Sequence, residues 1–285
     1  MKHLFACLLC ALPALSWAQE TPKPSPYDSA HFSWRQPVPR TRLRELQPDR
    51  PGVTESPFTV DAGHAQVEVD GLRLINSGSG QDTRTRDLHV AYSNVKFGLS
   101  RRTDIQAEVP LYAIAKQQAA SADAWQDRNS GFGDMAIRLK HNWLGNDQKV
   151  PVALATVAFV RLPTGGAVGN GAAEYGLIVP MNVGLSKKWT LEAQIESDLN
   201  YDREEAQHFL RLAPSLAFDY EFTKKLSLLA EGVTQWNSLQ HQWQSSVNLA
   251  PIFNITENFQ VDAGTHLALD RQIDHEYFVG FTLRR

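Results

Sequence analysis

From Gly63 to the C-terminus, apolar and polar residues alternate with a period of two, in segments of roughly ten to thirteen residues separated by turn chemistry. Ile105, Ala107, Val109 and Leu111 share one face of such a segment, with Gln106 and Glu108 on the other. Leu191, Ala193, Ile195 and Leu199 likewise oppose Glu192, Gln194, Glu196 and Asp198. Phe259, Val261, Ala263, Leu267 and Leu269 oppose Gln260, Asp262 and His266. The pattern predicts strands near 64–75, 88–100, 103–115, 132–143, 150–162, 172–186, 189–201, 208–222, 226–236, 242–255, 259–269 and 275–285. Within 88–100 the alternation slips between Val90-Tyr92 and Val95-Phe97-Leu99, as a β-bulge makes it do.

An apolar strand face needs either a protein core or lipid, and alternation alone does not separate the two. The connections do. Tight turns at Arg101-Arg102-Thr103, Gly145 to Lys149, Lys187-Lys188, Thr223-Lys224-Lys225 and Thr256-Glu257-Asn258 alternate with generally longer polar loops at 76–87, 116–130, 164–171, 202–207, 237–241 and 270–274. Short turns on the periplasmic side and longer loops outside characterise an outer-membrane barrel. The expected fold is therefore all-β: a transmembrane, antiparallel, up-and-down β-barrel of about twelve strands over 63–285, with an irregular N-terminal leader. Aromatics fall at both ends of the strands, Trp143, Trp189, Phe222 and Phe259 by the short turns and Tyr201, Trp236, Trp243 and Tyr277 by the long loops, as interfacial girdles do.

Composition changes this picture at the N-terminus. Lys2 and His3 precede an apolar run from Leu4 to Leu15 that ends in Ser16-Trp17-Ala18, the layout of a cleavable secretory signal with the mature chain beginning at Gln19. Both cysteines, Cys7 and Cys10, lie inside that signal, so the mature chain has no thiol for disulfides, metal or catalysis. Residues 19–62 are rich in proline, which denies ladder hydrogen bonds, and carry Arg35, Arg40, Arg42 and Arg44. This segment is either a periplasmic leader or one that enters the barrel and narrows it, setting those arginines against inward carboxylates such as Glu192 and Glu196. The formal net charge of −3 argues against a nucleic-acid partner.

Catalytic and metal-binding constellations are absent from the sequence, and no cofactor is implied. The histidines are scattered without metal-ligand spacing. His241 and Ser245 share a face but lie about 13 Å apart along a strand, too far for a dyad. The candidate solute path is the polar inner face: Gln106, Glu108, Arg138, Lys140, Arg161, Glu192, Glu196, Arg211, Glu231 and Asp262. Inward charges of both signs fit either a pore with a transverse field or a salt-bridged interior. Lysine is expected to disrupt the barrel at lipid-facing Ile195 or Val261 and to be tolerated at Gln194 or Asp262.

Asp49-Arg50-Pro51-Gly52, Glu55-Ser56-Pro57-Phe58, Gly63-His64, Glu68, Ser130-Gly131-Phe132-Gly133-Asp134 and Leu162-Pro163-Thr164-Gly165 resemble the phenol-degradation MetA-pathway family, from about residue 49 to the C-terminus. The resemblance implies a barrel of the porin or aromatic-hydrocarbon-channel type. One departure is the ending, Phe281-Thr282-Leu283-Arg284-Arg285, where such barrels tend to end on an aromatic that the assembly machinery reads. The expectation is passive uptake of small solutes, aromatic or apolar ones among them, across the bacterial outer membrane. Its partners would be membrane lipid, lipopolysaccharide and the barrel-assembly machinery. A lipid-modifying barrel enzyme and a structural barrel without transport are the rival readings.

Overall fold

The computed structural model describes residues 32–77, 83–119, 126–269 and 275–285. The expected signal, the start of the leader, and the tips of the loops near 78–82, 120–125 and 270–274 lie outside the described residues. The strands are β1 (Ala65–Ser77), β2 (Thr83–Gly98), β3 (Thr103–Ala119), β4 (Gln126–Gly131), β5 (Met135–Leu144), β6 (Val152–Leu162), β7 (Glu174–Gly184), β8 (Trp189–Asp202), β9 (Gln207–Thr223), β10 (Leu226–Asn237), β11 (Gln242–Thr256), β12 (Phe259–Ala268) and β13 (His275–Arg284). Each pairs antiparallel with its neighbours, and β1 also pairs with β13, which closes the sheet. Short β4 and β5 occupy one position in the wall, so the barrel has twelve staves. That is a correction to the single strand expected at 132–143.

The barrel is inside-out relative to a soluble protein. Its most deeply buried large side chains include Lys140, Gln106, Glu174, Asn142 and Asp198, while Ile105, Ile137, Leu177, Ile195, Leu249 and Val279 are exposed. Only lipid satisfies such an apolar exterior, and only a closed sheet leaves no unpaired edge within it. The girdle residues Trp143, Trp189, Phe222, Trp243 and Tyr277 are likewise exposed. Trp189, Tyr220 and Phe222 pack ring to ring on the short-turn side, with centroids 4.6 and 4.8 Å apart.

The irregularity expected in the second strand is a line of faults crossing several staves. Gly71 bulges out of register with β13, and Ala91 takes a left-handed φ of 55°. Leu111 has no partner in β2, and Phe132 to Asp134 interrupt the fourth stave. Across this line the inward face switches parity, so Tyr92 points in where Val90 points out. Leu111, exposed like Ile105, ends the outward row of β3 at the fault. Asp134 anchors the interruption by accepting hydrogen bonds from the backbone N–H groups of Gly165 (2.7 Å) and Asn170 (2.6 Å). The Ser130–Asp134 and Leu162–Gly165 motifs thus meet in space as one structural joint.

The loop asymmetry is weaker than the sequence suggests. The outer connections after β8 (Arg203 to Ala206) and β10 (Ser238 to His241) are themselves tight, closed by Ala206 and His241 with φ near 52°.

Candidate functional site: the lumen and its docked segment

The residues ahead of β1 run along the short-turn end. Trp34 N–H donates to Leu99 O and Val38 N–H to Ala62 O, and Arg40–Arg42 form a short 3-10 turn. From Asp49 to Asp61 the chain is held against the inward face of the barrel.

The physical problem there is the backbone, because a segment that joins no ladder must still satisfy its N–H groups. Pro51 and Pro57 carry no N–H, and wall side chains meet others. The Asp49 and Arg50 N–H groups donate to Glu68 at 3.0 and 3.1 Å. Those of Val53 and Thr54 donate to Glu231 at 3.0 and 2.6 Å, and that of Glu55 to Gln194 at 2.7 Å. Thr59 N–H donates to Asn146 and Val60 N–H to Asp104, each at 2.9 Å. Asn142 in turn donates to Pro57 O at 2.9 Å.

Ion pairs fix the segment's own charges. Asp49 receives Lys140 (2.6 Å) and Lys96, and Lys140 also donates to Ser56 O at 2.7 Å. Arg50 forks between Asp70 of β1 and Asp262 of β12, lying across Gly280 of β13, where an added Cβ would overlap the guanidinium. Glu55 pairs with Arg138, which also holds Glu108. Burial disfavours the charge of Asp49, yet Lys140 and Lys96 hold its carboxyl well below the usual carboxylate range. At Glu55 burial prevails and pushes the carboxyl up. Near the short turns Arg44 closes onto Asp61 at 2.7 Å, and Arg284 donates to Arg44 O at 2.8 Å.

All ten residues of the proposed inner face point inward, nine of them in two groups. Arg138, Lys140, Glu231 and Asp262 hold the docked segment, and Gln106 sits beside them, donating to Asp104 and accepting from Asn94. Glu108, Arg161, Glu196 and Arg211 form a more open upper layer. There Arg161 pairs with Glu174 at 2.8 Å, Arg211 with Glu196 and Asp198, and Tyr92 OH donates to Glu108 at 2.9 Å. The side chains of Arg161 and Arg211 are 31% and 30% exposed, so solvent reaches this layer. Glu192 belongs to neither group; Asn182 donates to it at 3.3 Å.

Two expectations are corrected. Glu192 and Glu196 do not receive the leader's arginines, since Arg44 binds Asp61 and the arginine that reaches wall carboxylates is Arg50. Gln194 and Asp262 are not free inward positions either, because they hold Glu55 and Arg50. Lys96, Glu68, Asp70, Asp104 and Asn146 were missed. Lys96 lies in the slipped strand and Asn146 in a turn, while the signal for the other three was their polarity at alternate positions.

Beside the docked segment a chamber of about 1370 Å3 opens at the short-turn end. Residues of 40–54 line one side; Asn182, Thr190, Glu192, Asp219, Ser227 and Ile252, from β7 to β11, line the other.

Residues 48–274 match the family described as "Putative MetA-pathway of phenol degradation". No curated protein matches the chain in sequence. Among solved structures it is similar to the COG4313 outer membrane channel from Pseudomonas putida F1, at 12% identity and a TM-score of 0.61, covering 82% of this chain and 99% of that one. It also aligns with the NanC porin (10% identity, TM-score 0.45, 74% and 98% covered). A third alignment is with the translocator domain of autotransporter NalP from Neisseria meningitidis (11% identity, TM-score 0.48, 83% and 90% covered). The likeness to the Pseudomonas channel is one of fold: an outer-membrane β-barrel.

Proposed function

The chain belongs to the MetA-pathway phenol-degradation family, and from that premise and the geometry of its lumen we propose a passive outer-membrane channel for small solutes, aromatic or apolar ones among them. The observation that carries this reading is the chamber beside the docked segment, inside a closed wall whose inward side chains are mostly polar, with a buried apolar cluster of Ala217, Leu229, Ala250, Ile252 and Phe278. A salt-bridged structural barrel has no need of such a space, whereas a solute path does. The upper layer, open to solvent at Arg161 and Arg211, supplies the other end of the path, and the docked segment is the constriction between them. No chemical step is assigned. Ser245 donates its hydroxyl to Thr234 at 3.1 Å, and His241 packs against Trp236.

Planar-bilayer conductance tests the reading. The full chain is expected to conduct weakly, and a variant lacking residues 19–61 to conduct more while its band still shifts on heating. Removing only 19–48 leaves the Asp49, Arg50 and Glu55 ties in place, and a smaller gain is expected. No conductance from either folded form would leave the structural-barrel reading standing.

A further inference from the structure

We propose that the lumen passes cations in preference to anions, and that Glu192 and Asp219 set that preference. The proposal rests on the channel reading and adds to it the charge class of the permeant solute.

Register places both carboxylates on one wall of the chamber. Glu192 of β8 stands opposite Ala217 of β9, which stands opposite Glu231 of β10, and Asp219 stands opposite Thr190 one inward step nearer the short turns. Neither Glu192 nor Asp219 has a cation within ion-pair distance among the described residues. Glu192 accepts from Asn182 at 3.3 Å, and Asp219 has the Ser227 hydroxyl beside it. Glu231 is met by backbone N–H groups and by the Asn248 amide.

The opposite side of the chamber carries Arg44, Arg50 and Arg284, each already closed onto a carboxylate: Asp61, Asp70 with Asp262, and Asp61 again. These three cations are thus paired whereas Glu192 and Asp219 are not, and Arg40, exposed, lines the chamber as well. Lys149, Lys224 and Lys225 lie at the mouth, exposed on the turns, where salt screens them over a distance of about 8 Å. Charge facing a narrow, low-dielectric passage is screened far less and concentrates its counter-ions.

An independent feature points to a polar occupant. Gln260 is 4% exposed, lines the same chamber, and has a side-chain amide nitrogen without a partner. That donor suits the oxygen of a water carried by a hydrated ion, whose hydrogens suit the carboxylates.

The test is the reversal potential of the full-length protein in planar bilayers across a tenfold KCl gradient at pH 8. A several-fold preference for potassium is expected, falling to near unity in the double variant E192Q/D219N and inverting in E192K/D219K. The control E204Q/E205Q, on an outer loop, should keep the wild-type ratio. Conductance that is unselective or anion-selective in the wild type would overturn the proposal and leave the channel reading intact. A ratio unchanged by E192Q/D219N would also overturn it, by removing the two named residues from the cause. Absence of conductance in a heat-shifting barrel would overturn both.

Discussion

Along β1 to β5 the inward Lys96, Arg138 and Lys140 are buried and closed onto Asp49 and Glu55 of the docked segment, whereas along β8 and β9 the inward Glu192 and Asp219 face a chamber with only Asn182 and Ser227 beside them. Both walls are built from the same alternation. They differ in what lies in front of them. A charge buried away from water must be paired and hydrogen-bonded, so the first wall has become a socket for one stretch of chain. The second faces the chamber, where solvent can supply the partner. One sheet thereby carries a mechanical half, to which Gln194 of β8, Ser215 of β9, Glu231 of β10 and Asp262 of β12 also belong, and a permeable half at Glu192 and Asp219 nearer the short turns.

The largest effect that can break this comparison is at Arg50. Replacing it by Met strands Asp262 and leaves Asp70 with Arg73 alone, both carboxylates being buried in the mechanical half. Removing one partner of a buried pair costs about 3–5 kcal/mol. Because Arg50 joins β1 to β12 across β13, the loss falls on the seam where the barrel closes. R50M is expected to lower the temperature of the heat-induced band shift markedly, and E192Q, in the permeable half, to leave it unchanged. Equal shifts would show that the two walls are not different in kind.

Next comes the outer face. Ile195→Lys should cost about 2–4 kcal/mol near the bilayer midplane, since Ile195 is 62% exposed to lipid. Inward lysine depends on which half receives it. Asp262→Lys sets a second cation beside Arg50 and is expected to destabilise the seam, whereas Glu192→Lys faces the chamber and is expected to fold normally. Heat-shift temperatures of the three variants rank the positions, and tolerance of Asp262→Lys would reduce the Arg50 fork to an incidental contact.

Most of the barrel was legible in the sequence because lipid outside and polar lumen inside impose a strict period of two. Eleven of the expected strands lie on observed ones to within a few residues, and the fourth differs because Gly131 and Gly133 bracket a break that periodicity does not register. The slip near Val90 was visible, but not that Gly71 and Leu111 share the fault, since lateral neighbours in a barrel lie far apart in sequence. The ten inward residues were legible for the same reason as the strands. Their partners were not. Asp49, Arg50, Thr54 and Glu55 sit in a segment with no periodicity, and what places them is the match of backbone donors that have no ladder to wall carboxylates such as Glu68 and Glu231, together with ion pairs to Lys140, Asp70, Asp262 and Arg138. Proline density signalled that the segment joins no sheet, and nothing in that density tells Asp70 from Glu192 as the destination of an arginine.

The smallest expected effect applies the same chemical change to both halves. Thr54→Val removes a hydroxyl that donates to Glu231 and lies 2.7 Å from the Ser215 hydroxyl, all three groups buried, so no water takes its place. Loss of a buried hydrogen bond of this kind costs about 0.5–1.5 kcal/mol, and the Val53 and Thr54 N–H groups still hold Glu231. Ser227→Ala removes the hydroxyl that meets Asp219 at the chamber wall, where water can replace it and the change should fall below detection. The readout is protection of a cysteine placed at Val53 against a membrane-impermeant thiol reagent, in barrels otherwise free of cysteine. Thr54→Val should speed labelling about 2- to 13-fold, the factor that follows if labelling proceeds through undocking of the segment. Ser227→Ala should leave it unchanged. Faster labelling in Ser227→Ala would mean that Asp219, like Ser215 on the same strand, helps hold the segment, and the permeable half would have to be redrawn to exclude Asp219.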